Sequence, residues 1–178
     1  GGEVFFAATS TGQEILTAGD AFFDLSFTGI GGGWTFTESA LSVDNDFTIA
    51  TGTVTLPNTG TTTIAGSFNA TGGAFQHNNG TMLFTSGTAE TITFDGGLFT
   101  NVARNLTFDG GGSWTLSDTN ATATNDVIVT QGTVNFPSGV LAIGGTVTDN
   151  GGTFVGGTGT VLFYSSASET ITAGGSSF

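Results

Sequence analysis

The sequence contains no cysteine and no lysine, and Arg104 and His77 are its only side chains that can carry a positive charge. Without cysteine the chain can form neither disulfides nor thiolate metal sites, and without lysine it cannot form a Lys–Asn crosslink. Proton-transfer chemistry would depend on His77, which lies in the turn-like run 76–80 and not beside a Gly-x-Ser-x-Gly motif. We therefore expect an exposed turn histidine and a protein that is not an enzyme.

Charge is scarce, and almost all of it is negative. Charged residues make up 8% of the chain and give a net charge of −13 at pH 7, whereas an ordinary soluble domain has about 25% charged residues. A field this negative repels nucleic acid and anionic membrane surfaces. No apolar run approaches the roughly 20 residues that a membrane-spanning helix needs. Neither nucleic acid nor membrane insertion is expected.

The chain does, however, repeat itself. Three similar strings open the copies, and their starts lie 78 and 79 residues apart: Gly2-Glu3-Val4-Phe5-Phe6, Gly80-Thr81-Met82-Leu83-Phe84 and Gly159-Thr160-Val161-Leu162-Phe163. Further matched positions are Trp34 with Trp114, Pro57 with Pro137, and Glu14 with Glu90 and Glu169. Such self-similarity is the signature of stacked repeats. We interpret 1–178 as one continuous repeat domain with units at about 2–79 and 80–158 and a partial unit at 159–178.

Within each unit, apolar residues alternate with threonine or serine, as in Trp34-Thr35-Phe36 and Leu106-Thr107-Phe108. This period of two is typical of half-buried strands, and Gly-rich and Asn-rich turns separate the strands. The chain is therefore predicted to be all-β. Short strands with frequent turns are compatible with β-sandwich repeats or with a β-solenoid.

The long repeat favours the solenoid, because a solenoid coil needs the same strand and turn pattern one rung later. A unit of about 79 residues would divide into roughly four coils of about 20 residues, which gives about nine coils in the chain. Parallel crossovers are right-handed as a rule. We predict a right-handed parallel β-solenoid, with β-sandwich repeats as the alternative.

Several strings resemble the Gly/Thr/Asn-rich repeats of large microbial cell-surface proteins. Examples are Gly80-Thr81-Met82-Leu83-Phe84 and Gly132-Thr133-Val134-Asn135-Phe136. Those repeats form parallel β-helix stalks in adhesins and filamentous haemagglutinin-like proteins. The resemblance covers nearly the whole chain and implies an extracellular, cell-surface protein with a structural or adhesive role. It assigns no binding residue to this sequence.

The acidic residues offer a metal hypothesis and a catalytic one. Asp44 and Asp46 are closely spaced oxygen ligands that suit Ca²⁺, although the Gly and distal Glu of an EF-hand loop are missing. Asp44 with Asp46, or Asp118 with Asp126, could also serve a carbohydrate-cleaving β-helix as acid and base. Asp46 and Asp126 recur at the same turn of successive units, which favours a structural role, because a catalytic site is normally assembled once.

Aromatic residues and sequons suggest further contacts. Trp34 and Trp114 alternate with threonine inside strands, so a buried aromatic ladder is favoured over a sugar-binding platform. Glycans could be attached at the Asn-x-Thr sequons, which begin at Asn69, Asn79, Asn105 and Asn120. Their number is close to that expected by chance in a chain so rich in Asn, Ser and Thr.

The two ends of the sequence are in phase with each other, since 159–178 repeats the start of the first unit. Strand edges at the ends of a solenoid need a cap or a partner. We take Val4, Phe5, Phe6 and Phe178 as assembly residues and predict that identical subunits join head to tail. The predicted function is thus an extracellular stalk or filament subunit, and the alternative is a carbohydrate-binding or carbohydrate-cleaving β-helix that uses clustered Asp and aromatic residues.

Overall fold

A computed structural model describes residues 1–95, 97 and 99–176. These residues form 22 short strands and no helix. Consequently, none of the described residues belongs to a helix that could span a membrane. The all-β prediction is confirmed.

The strands, numbered β1 to β22 in chain order, form four parallel sheets. Sheet A consists of β1 (Glu3–Phe6), β3 (Asp24–Phe27), β6 (Phe47–Ile49), β9 (Phe68–Asn69), β12 (Ala89–Thr93), β14 (Ser113–Leu116), β17 (Thr133–Asn135) and β20 (Thr153–Val155). Sheet B consists of β2 (Gln13–Ile15), β4 (Gly33–Phe36), β7 (Thr53–Thr55) and β10 (Ala74–Gln76). Sheet C consists of β5 (Ala40–Val43), β8 (Thr61–Ile64), β11 (Thr81–Phe84), β13 (Asn105–Phe108), β16 (Val127–Val129), β19 (Val147–Asp149) and β22 (Ile171–Thr172). Sheet D consists of β15 (Ala121–Ala123), β18 (Val140–Ile143) and β21 (Thr160–Phe163).

The chain visits the sheets in a fixed order, A, then B or D, then C, when the single bridges of Phe22 to Val43 in sheet C and of Ala103 to Ala123 in sheet D are counted. Sheet B serves as the second side in the first half of the chain and sheet D in the second half. Paired residues in successive strands of sheet A lie 20 to 24 residues apart, as in Trp114–Val134 and Phe68–Ile92. The fold is therefore a parallel β-solenoid of about eight turns, close to the nine predicted, and the β-sandwich alternative is wrong.

The core lies inside the coils and is built from rows of apolar residues in register. In sheet A, Leu25, Phe47, Phe68 and Ile92 pair consecutively, and each is fully buried. Burial of each such side chain contributes about 1.5 to 3 kcal/mol. The alternate positions, such as Thr48 and Thr91, face outward, which explains the apolar/threonine pattern of the sequence.

The sequence repeat does not match a whole number of turns. Each turn of the solenoid has three sides, and each strand, or single bridge at Phe22 or Ala103, forms one side. From β1 to β11 the chain advances by eleven sides, and from β11 to β21 it advances by eleven again. Eleven sides are three full turns and two sides. Equivalent residues therefore lie on different sheets: Trp34 is in sheet B and Trp114 in sheet A.

Despite this rotation, equivalent residues keep the same surroundings. Trp34 packs against Phe27 with ring centroids 5.0 Å apart, and Trp114 packs against Phe108 at 5.2 Å. Both indoles are almost completely buried, with neither Nε1 atom hydrogen-bonded. The predicted buried aromatic ladder is confirmed. The packing around each strand is thus determined by the local sequence and does not depend on the sheet to which the strand belongs.

Strand register corrects one match made from the sequence. Glu90 pairs with Trp114, and it is Gln13, not Glu14, that pairs with Trp34. The partner of Glu14 is Thr35. Gln13 is therefore the structural counterpart of Glu90, and the match of Glu14 with Glu90 is wrong by one residue.

Candidate functional site

The acidic residues that recur in the sequence form a column of hydrogen bonds along the solenoid axis. In this first acidic column, the Asp24 Oδ1 atom accepts hydrogen bonds from Asn45 Nδ2 (2.7 Å) and from the Asp46 backbone N–H (3.1 Å). One coil further on, Asp46 Oδ1 accepts the Ser67 backbone N–H at 2.8 Å. The Ser67 hydroxyl then donates to Glu90 Oε2 at 2.7 Å. The column therefore joins four successive coils at the edge where the strands of sheet A begin.

Glu90 ends this column in a nest of hydroxyl groups. Besides Ser67, the hydroxyls of Thr88 and Ser86 donate to Glu90 Oε1 at 2.7 and 2.8 Å. Burial acts to raise the pKa of Glu90, but the hydrogen bonds from Thr88, Ser67 and Ser86 together outweigh it and hold the pKa below its usual value. The carboxylate is thus stabilised in its charged form as a structural acceptor.

The second acidic column repeats the first at the start of the sheet C strands. Asn105 Oδ1 accepts hydrogen bonds from Asn125 Nδ2 (2.8 Å) and from the Asp126 backbone N–H (3.4 Å). Asp126 Oδ1 accepts the Thr146 backbone N–H at 2.8 Å, and the Thr146 hydroxyl donates to Glu169 Oε2 at 3.1 Å. The bonds match those of the first column step for step, so the recurrent acids are inter-coil connectors.

The two candidate Ca²⁺ ligands have different surroundings. Asp46 is a member of the first acidic column, whereas Asp44 is exposed and its backbone N–H donates to the Phe22 carbonyl at 2.8 Å. Within residues 1–95, 97 and 99–176, no three histidine or acidic side chains converge as a metal site. Ca²⁺ binding by Asp44 and Asp46 stays a prediction.

Asp95, which is not among the candidates from the sequence, lies with Asp118 on the neighbouring coil, whereas the sequence suggests a pair of Asp118 with Asp126. Asp118 accepts the backbone N–H groups of Phe94 (2.7 Å) and Asp95 (3.0 Å), and Asp95 in turn accepts the Gly72 N–H at 2.9 Å. Burial raises the pKa of Asp118, and the negative charge of Asp95 raises it further. The two amide hydrogen bonds lower this pKa but do not outweigh the burial. Asp118 thus belongs with Asp95, whereas Asp126 belongs to the second acidic column.

These two pKa shifts predict opposite pH effects on stability. Because its folded pKa is raised, Asp118 favours folding when protonated, and this contribution is lost as the pH rises through the folded pKa. Glu90, with a lowered folded pKa, favours folding when ionised, and its contribution is lost as the pH falls through the folded pKa.

Urea unfolding between pH 7 and about pH 3 measures the free energy of unfolding of the native protein and of each variant. The excess of the native protein over Asp118→Asn should grow as the pH falls. Its advantage over Glu90→Gln should shrink over the same range. Parallel curves for the two variants would contradict the assignment of these carboxylates.

A second missed residue is Asp149, which is a buried carboxylate near the last coil. It is 4% exposed and accepts the backbone N–H groups of Gly151 (3.0 Å) and Gly152 (2.8 Å) and the Ser176 hydroxyl (2.7 Å). The signal in the sequence is the run Asp149-Asn150-Gly151-Gly152, in which an Asp side chain can cap the amides of a following turn. Asp149 ties the turn at 173–176 to the preceding coil.

The two cationic side chains lie together at a turn. Arg104 donates from an Nη atom to Asn79 Oδ1 at 3.3 Å, and His77 Nδ1 accepts the Asn79 backbone N–H at 2.9 Å. Burial, together with the positive charge of Arg104, lowers the pKa of His77. His77 is thus a turn residue, half-buried rather than exposed.

The sequon asparagines differ in how free their side chains are. Asn69 and Asn79 are exposed, although Asn69 Oδ1 accepts the Thr71 N–H and Asn79 accepts from Arg104. Asn105 belongs to the second acidic column, and Asn120 Oδ1 accepts the Val140 N–H at 2.9 Å. Glycosylation stays a prediction for all four, and these contacts favour Asn69 and Asn79.

Both ends of the solenoid expose apolar residues. In β1, Val4 is 38% and Phe5 60% exposed, and Phe6 is half-buried. In the last coil, Phe163 is 38% and Ile171 50% exposed. The remaining predicted assembly residue, Phe178, lies outside the described residues.

Searches of protein-family models, of curated proteins and of solved structures give no match to this chain.

Proposed function

We propose that this protein is a structural β-solenoid, a shaft that joins further coils at both ends to form an extracellular stalk or filament. One observation carries the proposal: the exposed large apolar residues collect at the ends. In the part of the chain that the structure describes, they are Val4, Phe5, Leu16, Phe23 and Ile30 near the first coil, Val155, Leu162, Phe163, Tyr164 and Ile171 near the last, and Phe99 between them.

The surface of the shaft between these ends consists mainly of small polar side chains and of acids that are already hydrogen-bonded. Its outward positions are mainly threonine, serine and asparagine, such as Thr48, Thr63 and Thr115. Its recurrent acids are engaged in the two acidic columns, which hold neighbouring coils in register. Backbone ladders reinforced in this way give length and stiffness. The cell-surface location is supported by the resemblance to microbial surface repeats.

The ends differ from the shaft because each terminal strand is covered by a neighbouring coil on only one side. Val4 pairs with Leu25, which is fully buried, yet Val4 is itself 38% exposed. Phe163 pairs with Ile143, which is 1% exposed, yet Phe163 is 38% exposed. An unpaired strand edge beside exposed core residues is a template for another strand, and a head-to-tail contact of this kind grows without closing.

The test is the size and shape of the purified chain as its concentration rises. Light scattering should show mass increasing with concentration, and negative-stain images should show unbranched fibres. Val4→Asp places a charge in the terminal rung and should leave the protein monomeric, whereas Ile128→Asp, on the outer face of the shaft, should assemble like the native chain. A native chain that stays monomeric at the highest concentration would overturn the proposal.

A further inference from the structure

Strand β11 in the middle of the chain, with its neighbours β8 and β13, provides a template for a junction between two copies. The three strands β1, β11 and β21 occupy equivalent places at the start of the repeat units, and of these three only β11 has paired strands on both sides among the described residues. There, Met82 and Phe84 lie between Thr62 and Ile64 of β8 and Leu106 and Phe108 of β13. Both Met82 and Phe84 are almost fully buried.

Each of the two terminal strands, β1 and β21, has only one of the two neighbouring strands that β11 has. In β21, Val161 and Phe163 pair with Leu141 and Ile143, the counterparts of Thr62 and Ile64. On the other side of the template, β1 pairs with β3, so that Phe6 faces Phe27. The Phe6 and Phe27 rings stack at 5.1 Å and 14°, and the template rings Phe84 and Phe108 stack at 5.3 Å and 17°. The two ends of the chain are therefore the two halves of one internal junction.

We propose that, at the junction between two copies of this chain, β1 of the second copy occupies the place of β21 in the first copy, beside β18. This inference rests on the end-to-end joining proposed above and names its geometry. Val4 and Phe6 of the second copy would then lie between Leu141 and Ile143 of the first copy and their own neighbours Leu25 and Phe27. The segment 159–172 of the first copy is displaced from β18 and β19, because β1 of the second copy replaces it as the next strand.

The exchange is favourable because the displaced strand is poorly buried and the incoming one becomes covered on both sides. Leu162, Phe163 and Ile171 are 38% to 50% exposed, so their release uncovers little additional apolar area. The backbone hydrogen bonds to β18 are replaced one for one. Displacement of 159–172 costs the Thr146–Glu169 hydrogen bond of the second acidic column, the pairing of β22 with β19 and the ring contact of Tyr164 with Phe99. Displacement of the turn at 173–176 would also cost the hydrogen bonds from the Ser176 hydroxyl to Asp149 and from the Phe154 N–H to Ser176.

The exchanged junction fixes the symmetry of the filament. Because β21 lies in sheet D and β1 in sheet A, the second copy must be rotated by one side, a third of a turn. Each copy then contributes the twenty-two sides from β1 to β20, when the single bridges at Phe22 and Ala103 are counted. At about 4.8 Å per coil this is a rise of about 35 Å per copy. Stacking without exchange or rotation would instead place β2 of the second copy beside β21 of the first.

Engineered cysteines can test this, because the chain has none of its own. In the exchanged junction Glu3 takes the place of Thr160, which pairs with Val140. Glu3→Cys combined with Val140→Cys should therefore give disulfide-linked oligomers on oxidation, since paired positions lie within the Cα separation of about 4.4 to 6.8 Å that a disulfide spans. The control double variant, Glu14→Cys with Leu162→Cys, reports stacking without exchange and should remain uncrosslinked. Each single-cysteine variant should show native β-sheet circular dichroism and form at most dimers.

The outcomes separate this inference from the proposed function. Crosslinked ladders from the Glu3 and Val140 pair, with a rotation of a third of a turn per copy in electron micrographs of the filaments, support the exchange. Filaments that crosslink through Glu14 and Leu162 instead would overturn the exchange but leave end-to-end joining intact. Monomers that crosslink through neither pair would overturn both.

Discussion

Replacement of Trp114 by alanine is expected to lower the free energy of unfolding by about 3 to 5 kcal/mol. The indole is completely buried and packs against Phe108 at 5.2 Å, so its removal leaves a large cavity in a core that is continuous along the axis. Asp126→Ala removes the hydrogen bonds that this half-buried carboxylate accepts from the Thr146 amide and from Asn125 Nδ2, and should cost about 1 kcal/mol. Urea-induced unfolding followed by circular dichroism measures both effects.

Two controls make the Trp114 result specific. Trp34→Ala should cost about as much, because Trp34 has equivalent surroundings in another sheet. Ile30→Ala, at a side chain that is 78% exposed, should change stability by no more than about 0.5 kcal/mol. If Asp126→Ala proved more destabilising than Trp114→Ala, the polar columns would matter more than the core packing, contrary to the structure described above.

The second large effect is expected for Gly132→Ala, which should lower the free energy of unfolding by about 3 kcal/mol. Gly132 has a φ of +76°, a left-handed conformation that alanine adopts only with strain. An added Cβ would lie 2.5 Å from the carbonyl oxygens of both Gly110 and Gly112 and 2.8 Å from the Trp114 ring. The carbonyl oxygens belong to the backbone of the preceding coil, so no side-chain rotation relieves the clash.

Gly111→Ala is the matched control, because a Cβ at Gly111 would meet nothing within 4 Å and its φ is not in the left-handed region. It should leave stability within about 0.5 kcal/mol of the native value. Equal melting temperatures for the two variants would mean that the coils near Gly132 are less closely packed than the structure shows.

The fold could be predicted because its signals are local. Alternation such as Trp34-Thr35-Phe36 places side chains on opposite faces of a strand whatever the neighbouring coil contains. The same alternation predicted the buried tryptophans, and the long repeat indicated stacked coils, which gave the solenoid. The assignment of strands to sheets could not be predicted, because it depends on the length of every turn, and the coils vary from 20 to 24 residues.

The polar contacts were less predictable for the same reason. The hydrogen bond from the Asp95 amide to Asp118 joins residues 23 positions apart, and a shift of one residue in register would break it. Glu14 shows the problem directly: sequence spacing matched it with Glu90, but strand pairing gives that place to Gln13. The recurrence of Asp46 and Asp126 did predict their shared structural role, since both cap an amide in the next coil.

The coil-by-coil construction also determines how the shaft would respond to force. Tension applied through its two ends acts on the outermost coil first, because the ladder bonds of that coil separate one after another and are not sheared together. A coil of about 21 residues at about 3.5 Å per residue, less its height of about 4.8 Å, releases about 70 Å of chain. A pulled shaft would thus lengthen in steps of about 70 Å while its remaining coils stay folded, and it would absorb a sudden load without breaking as a unit.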